Sequence, residues 1–381
     1  MRKYILISIF LFFNPLILIL YGQNNSGLSF FSQYGYVFPT DRFLDGTYTN
    51  KPINNFQAYS LRYIIQTRGE KPWHSLYKYP YYGFGIYLAD FHSPKHLGSP
   101  LALYGFVSKT LFSKGRFSLR NDLSIGVSYF PKHWGIDNLE NVSIGSHFNC
   151  YVEEGLSLDI ELNNNFQTSF GLFLSHFSNG ATKKPNWAIY TFQPRISLRY
   201  DFNKRGFIEN NRLEFEKGFD LVSWIYWGYY SELQERGQFA FTDPMRYVYR
   251  YYQAIGLSSV LYRNLSYKRN IGLGINLGYD EKSNSIFNAD NGVIISTDSK
   301  FIDRLTLNMF LSYEYRIENF SVLFDAGYYL YRIRSETSSS NFFQRIGFRQ
   351  EIYKNLFLGV SIRASKFRIA HFIEWNVGIR L

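Results

Sequence analysis

The final segment of the chain constrains its fold more than any other feature. Ile373, Trp375, Val377, Ile379 and Leu381 alternate with Glu374, Asn376, Gly378 and Arg380. A period of two puts alternate side chains on opposite faces of a strand, here one apolar and one polar. In a bilayer such a strand satisfies its backbone only within a closed sheet, with apolar residues on lipid and polar ones in the lumen. The period recurs in segments of about 11 to 16 residues. These start near Gly27, Phe56, Tyr79, Pro100, Gly115, Asn149, Phe166 and Trp187, then near Gly218, Tyr249, Lys268, Arg304, Phe320, Asn341, Leu356 and Ala370. The expected fold is all-β, a transmembrane up-and-down antiparallel β-barrel of about 14–16 strands.

Connector lengths carry a second signal, because such barrels have short periplasmic turns and longer extracellular loops. Long connectors (around Asp41–Lys51, Pro131–Ser146, Glu232–Arg246 and Lys282–Lys300) follow odd-numbered segments, and tight turns mostly follow even-numbered ones. Arg68–Lys78 and Asn203–Glu216 are long where short turns are expected. The second of these divides the segments into two equal sets. One barrel is the preferred architecture, since no obvious linker is present. Two eight-stranded barrels, or half-barrels, are the alternative.

The chain opens Met1-Arg2-Lys3 and runs apolar from Tyr4 to Leu20 before Gly22-Gln23. A basic start, an apolar stretch and a small residue predict a signal peptide over 1–22 and export to a Gram-negative outer membrane. A barrel portion over 23–203 and further strands over 204–381 would follow. The chain is 20% aromatic, with 33 Tyr and 37 Phe, which suits strands with interfacial aromatics. A lone Cys150 allows no internal disulfide and no cysteine metal cluster. The net charge of +11 is scattered rather than run together. An exported chain of this kind meets anionic lipid rather than nucleic acid.

One stretch is chemically distinctive: His176-Phe177-Ser178-Asn179-Gly180-Ala181, leading through Lys183-Lys184-Pro185-Asn186. Along Phe166 to Ser178 the even positions are mainly apolar and form the lipid face, so His176 and Ser178 continue that face to its extracellular end. A base and a nucleophile placed there suit an ester carried by a membrane lipid. A hairpin symmetric about Lys183 sets His176 opposite Tyr190. In the preceding strand Val152 falls opposite His176, and Glu154 lies diagonal to it, within reach of a long side chain. As structural residues alone, the same side chains are an ordinary strand end followed by turn formers. His92, His96 and His133 find no further ligand at a recognisable spacing, so no metal site is expected.

The His-x-Ser-Asn sequence leading into a Lys/Pro/Asn turn resembles the lipid A 3-O-deacylases of the PagL type. The likeness extends at most over Gly27 to Phe202. It implies an outer-membrane serine esterase that removes an ester-linked acyl chain from lipid A or lipopolysaccharide in the outer leaflet, without a cofactor. By the same likeness Ser178 is the nucleophile and His176 its base. Asn179, with the N–H groups near Gly180 and Ala181, would hold the oxyanion. Lys183 and Lys184 are either lipid phosphate contacts or solvated turn charges. The family's acid, a Glu fourteen residues after its His, is replaced by Tyr190. That leaves a slower dyad, a substitute acid (Glu154 is the candidate), or a non-catalytic barrel serving as pore, adhesin or scaffold.

Overall fold

The computed structural model describes residues 25–202, 206–208, 215, 217–236, 239–240, 243–283, 285–287, 294–296, 300–333, 340–367 and 369–381. The expected signal peptide lies outside them. Eight strands form a first closed antiparallel barrel: β1 (Asn25–Val37), β2 (Asn55–Gln66), β3 (Tyr81–Asp90), β4 (Leu101–Lys114), β5 (Phe117–Tyr129), β6 (Phe148–Glu161), β7 (Phe166–Ser178) and β8 (Ile189–Asp201). A second barrel comprises β9 (Phe219–Glu235), β10 (Tyr247–Ser266), β11 (Arg269–Asp280), β14 (Leu305–Ile317), β15 (Phe320–Arg332), β16 (Phe342–Tyr353), β17 (Leu356–Ser365) and β18 (Ile369–Arg380). Between β11 and β14, β12 (Ser285–Phe287) and β13 (Ile294–Ser296) make a small separate hairpin.

The preferred single barrel is therefore corrected to the two-barrel alternative. Strand β8 returns to β1, from Gly27 opposite Asp201 to Val37 opposite Thr191, and β18 closes on β9. Closure within each half uses up the edges that a single barrel would have joined across 203–216.

Side-chain parity follows the pleat. On β7, Phe166, Phe170, Leu172 and Leu174 face outward, and on β8 so do Tyr190, Phe192, Ile196, Leu198 and Tyr200. The inward faces are tightly filled and, unlike the expected polar lumen, mix buried aromatics (Tyr87, Tyr104 and Tyr151 in the first barrel, Trp224, Tyr226 and Phe310 in the second) with polar and charged side chains. Glu153 (1% exposed) accepts from Arg195 at 2.8 Å, Gln33 at 2.9 Å and Arg62 at 3.3 Å, and both arginines also pair with Asp122. In the second lumen Glu374 bridges Arg363 at 2.6 Å and Arg345 at 3.2 Å. Breaking such a set strands buried charge, whose solvation water no longer supplies. Glu153→Ala, which leaves two guanidiniums sharing Asp122, is expected to cost about 3–5 kcal/mol. The lowered urea midpoint of the compact electrophoretic form measures it.

The two exceptional connectors have a structural reason for their length. Arg68–Lys78 contains α1 (Pro72–Leu76) and reaches the second barrel. Lys268 Nζ donates to the carbonyl of Leu76 at 2.6 Å, the Tyr77 hydroxyl donates to that of Arg316, and Lys71 pairs with Glu318 at 2.8 Å. Ile208 N–H, in the other connector, donates to the carbonyl of Arg68 at 2.7 Å. At the long-loop end, Trp134 packs edge-on against Tyr247 and Tyr249 of β10. The barrels are thus joined at both ends by side chains and loops.

Candidate active site at the long-loop rim

The register of β6, β7 and β8 sets the site. His176 lies opposite Val152 on one side and Tyr190 on the other, and Glu154 lies opposite Leu174. These are the pairings that parity predicts. His176 Nε2 is 2.7 Å from Ser178 Oγ, within hydrogen-bond reach for a base and its nucleophile. Residues i and i+2 share a strand face, so the pleat itself brings the two side chains together.

On the other side of the imidazole the arrangement is incomplete. His176 Nδ1 is buried and has no hydrogen-bond partner among the described residues. The Tyr190 ring packs against the imidazole, with centroids 4.5 Å apart and planes inclined by 48°. The structure does not bring Glu154 to His176. The Glu154 carboxylate is exposed on the outer face and accepts from Asn121 Nδ2 of β5 at 3.3 Å. A Ser-His pair is assembled, and among the described residues no carboxylate orients it.

The turn after Ser178 is built to a defined shape. Asn179 is buried, and its groups serve the turn. Its N–H donates to Asn186 Oδ1 at 3.2 Å, and its Nδ2 donates to the Lys183 carbonyl at 2.7 Å and to Ser146 Oγ at 3.0 Å. Its side chain therefore acts as a brace, while the N–H groups of Gly180 and Ala181 have no acceptor among the described residues. Gly180 (φ +60°) and Ala181 (φ +68°) both adopt the left-handed conformation. For Ala181 that costs about 1–2 kcal/mol and persists only where surrounding contacts impose it. The loop before β6 supplies some of them: Ala188 N–H donates to the Ser143 carbonyl at 3.0 Å and Trp187 N–H to that of Val142 at 3.2 Å. A Cβ on Gly145 would collide with the carbonyl oxygens of Lys183 and Pro185, so the loop approaches the turn as closely as a backbone can.

The two lysines differ. Lys184 Nζ pairs with Glu232 of the second barrel at 2.6 Å, so it is not a free turn charge. Lys183 is half-buried without an ion-pair partner among the described residues, and burial lowers its pKa from the ordinary lysine value. A second histidine–serine contact, not anticipated from sequence, joins His371 Nε2 to Ser365 Oγ at 3.0 Å. It depends on a register shift between β17 and β18 that passes over His371. Periodicity carries no sign of such a bulge.

Comparisons with known proteins fit this division. Residues 57–199 match the family model for lipid A 3-O-deacylase (PagL), and residues 221–381 match that for the acyloxyacyl hydrolase C-terminal domain. A comparison with curated proteins finds no similar sequence. Among solved structures, the crystal structure of the outer membrane enzyme PagL is similar at 16% identity, covering 44% of this chain and 97% of its own, with a TM-score of 0.30. A Rhodopseudomonas blastica porin triple mutant (8% identity, 93% and 100% coverage, TM-score 0.16) and the TodX monoaromatic hydrocarbon channel (9%, 97% and 92%, TM-score 0.20) superpose still less well. The chain belongs to the PagL family, the lipid A 3-O-deacylase model matching within the first barrel and the acyloxyacyl hydrolase C-terminal model within the second.

Proposed function

We propose that the protein is an outer-membrane esterase that removes an ester-linked acyl chain from lipid A, using Ser178 as nucleophile and His176 as base. The observation that carries this is the 2.7 Å contact between His176 Nε2 and Ser178 Oγ on the outer face of the end of β7, where His176 is partly exposed and Ser178 is buried. His176 takes the serine proton, and Ser178 Oγ attacks the acyl carbonyl to give a tetrahedral oxyanion. The N–H groups of Gly180 and Ala181 are the available donors for it. Collapse releases the sugar hydroxyl, which regains the proton from His176, and water then hydrolyses the acyl-enzyme by the same route. No step calls for a metal or cofactor. Of the two turn lysines, Lys183 is the one that would meet a lipid phosphate, since Lys184 is engaged by Glu232.

That His176 Nδ1 has no partner among the described residues also supports a second reading, a family member that binds without cleaving. The buried ion pairs that fill both lumens weigh against a pore. The mass of lipid A from a Gram-negative host expressing the chain separates the readings. Loss of one acyl chain is expected; lipid A of unaltered mass in the presence of folded protein rejects the esterase.

A further inference from the structure

The second barrel reaches the site through a gap in its own wall. Strand β9 pairs with β18 only as far as Gly228, opposite Glu374, while its pairing with β10 continues to Glu235. The bulge at His371 lies next to this point on β18. Beyond Gly228 one edge of β9 is therefore open, and open edges seek partners. The turn of the first barrel supplies them. Ser231 N–H donates to the Ala181 carbonyl at 3.0 Å, and Ser231 Oγ accepts from Lys184 N–H at 2.9 Å. Glu232 binds Lys184 Nζ at 2.6 Å and also pairs with Lys282. Ile373 and Ile362 press on Gly180 so closely that a Cβ there would lie 2.5 Å from Ile373 Cγ1.

Each of these contacts bears on the segment that carries the oxyanion donors. The Ala181 carbonyl shares its peptide plane with the Thr182 N–H, which closes the turn on the Asn179 carbonyl at 3.2 Å. Holding that plane limits rotation about Ala181, a residue in the left-handed region, and so steadies the adjoining plane that carries the Ala181 N–H. From this geometry we infer that the second barrel is a positioning element for the first: Ser231 and Glu232 hold the turn 180–184 in the shape that stabilises the oxyanion. They act through Ala181 and Lys184 and do not touch the substrate. The kinetic half of this inference rests on the esterase reading; the mechanical half does not.

The test is Ser231→Pro in the full chain. Proline removes the N–H that points away from β10, which an edge position tolerates. Misplacing oxyanion donors by a fraction of a bond length is expected to lower kcat about 10–100-fold. KM should be little changed, because no substrate contact is lost. Amide hydrogen exchange at Thr182 and Lys183, whose N–H groups bond to Asn179 within the turn and not to Ser231, is expected to rise in the same variant. Glu232→Gln should lower kcat by a smaller factor, and Lys71→Met, at the opposite end of the interface, should change neither reading. Wild-type kcat and exchange in Ser231→Pro would overturn the inference, as would a Glu232→Gln variant whose KM falls because Lys184 is freed for an anionic headgroup. An inactive wild type whose turn exchange still depends on Ser231 would reject the esterase reading and uphold the mechanical coupling.

Discussion

Tyr190→Glu is expected to raise the rate of ester cleavage by about 10²-fold or more, towards a limit of order 10⁴. Its basis is the Nδ1 of His176, which has no hydrogen-bond partner among the described residues. When Ser178 attacks, the imidazole becomes an imidazolium, and a carboxylate on the far nitrogen stabilises that charge and fixes the tautomer that leaves Nε2 basic. A tyrosine ring packed on the imidazole does neither. Position 190 is the direct cross-strand partner of His176, so a carboxylate there needs no new backbone geometry. Residue 190 is partly exposed near the end of β8, where an ionised side chain is tolerated. Tyr190→Gln has the same reach without the charge and should stay near the parental rate. Glu154→Gln should also be silent, because Glu154 is bound to Asn121. The release of fatty acid from purified lipid A in micelles, followed with time, measures all three. A rate for Tyr190→Glu no higher than that for Tyr190→Gln would show that charge at this position is not what the dyad lacks.

Much of the local arrangement could be read from periodicity, because a strand's period is an integer and small errors do not accumulate. The opposition of His176 to Val152 and Tyr190 followed from face assignments on three neighbouring segments, and the ladders reproduce it. What parity cannot carry is closure. Whether β8 returns to β1 or passes on to β9 changes no residue's face, so alternation is silent between one barrel and two. Glu154 shows a second limit. Its diagonal relation to His176 is correct at the level of Cα positions, yet Asn121 on β5, the strand on its other side, competes for the carboxylate. Lys184 shows a third: its own hairpin reads it as a lipid phosphate contact or a solvated turn charge, and its partner belongs to another barrel. The excess length of Arg68–Lys78 was visible in the sequence, and only the docking of α1 and Tyr77 on the second barrel explains it.

Ser178→Ala should have two different effects depending on residue 190, and the difference tests the dyad more sharply than either value alone. In Ser-His-acid hydrolases, loss of the acid costs on the order of 10⁴ in kcat and loss of the serine on the order of 10⁶, and the two losses are far from additive. With Tyr190 in place the acid's share is already missing. Ser178→Ala should then lower kcat by only about 10²-fold, to a residue left by binding and the turn's donors. In the Tyr190→Glu background the same substitution should cost up to about 10⁶-fold and bring both proteins to the same floor. His176→Ala should reach that floor as well, since the serine and its base act as a unit. Rates of acyl release for the four proteins that combine Ser178 or Ala with Tyr190 or Glu measure the coupling directly. Equal losses in both backgrounds would mean that the carboxylate acts independently of Ser178. That result would show that residue 190 does not limit the proposed dyad, and the 2.7 Å His176–Ser178 contact would then have to carry the chemistry without help from β8.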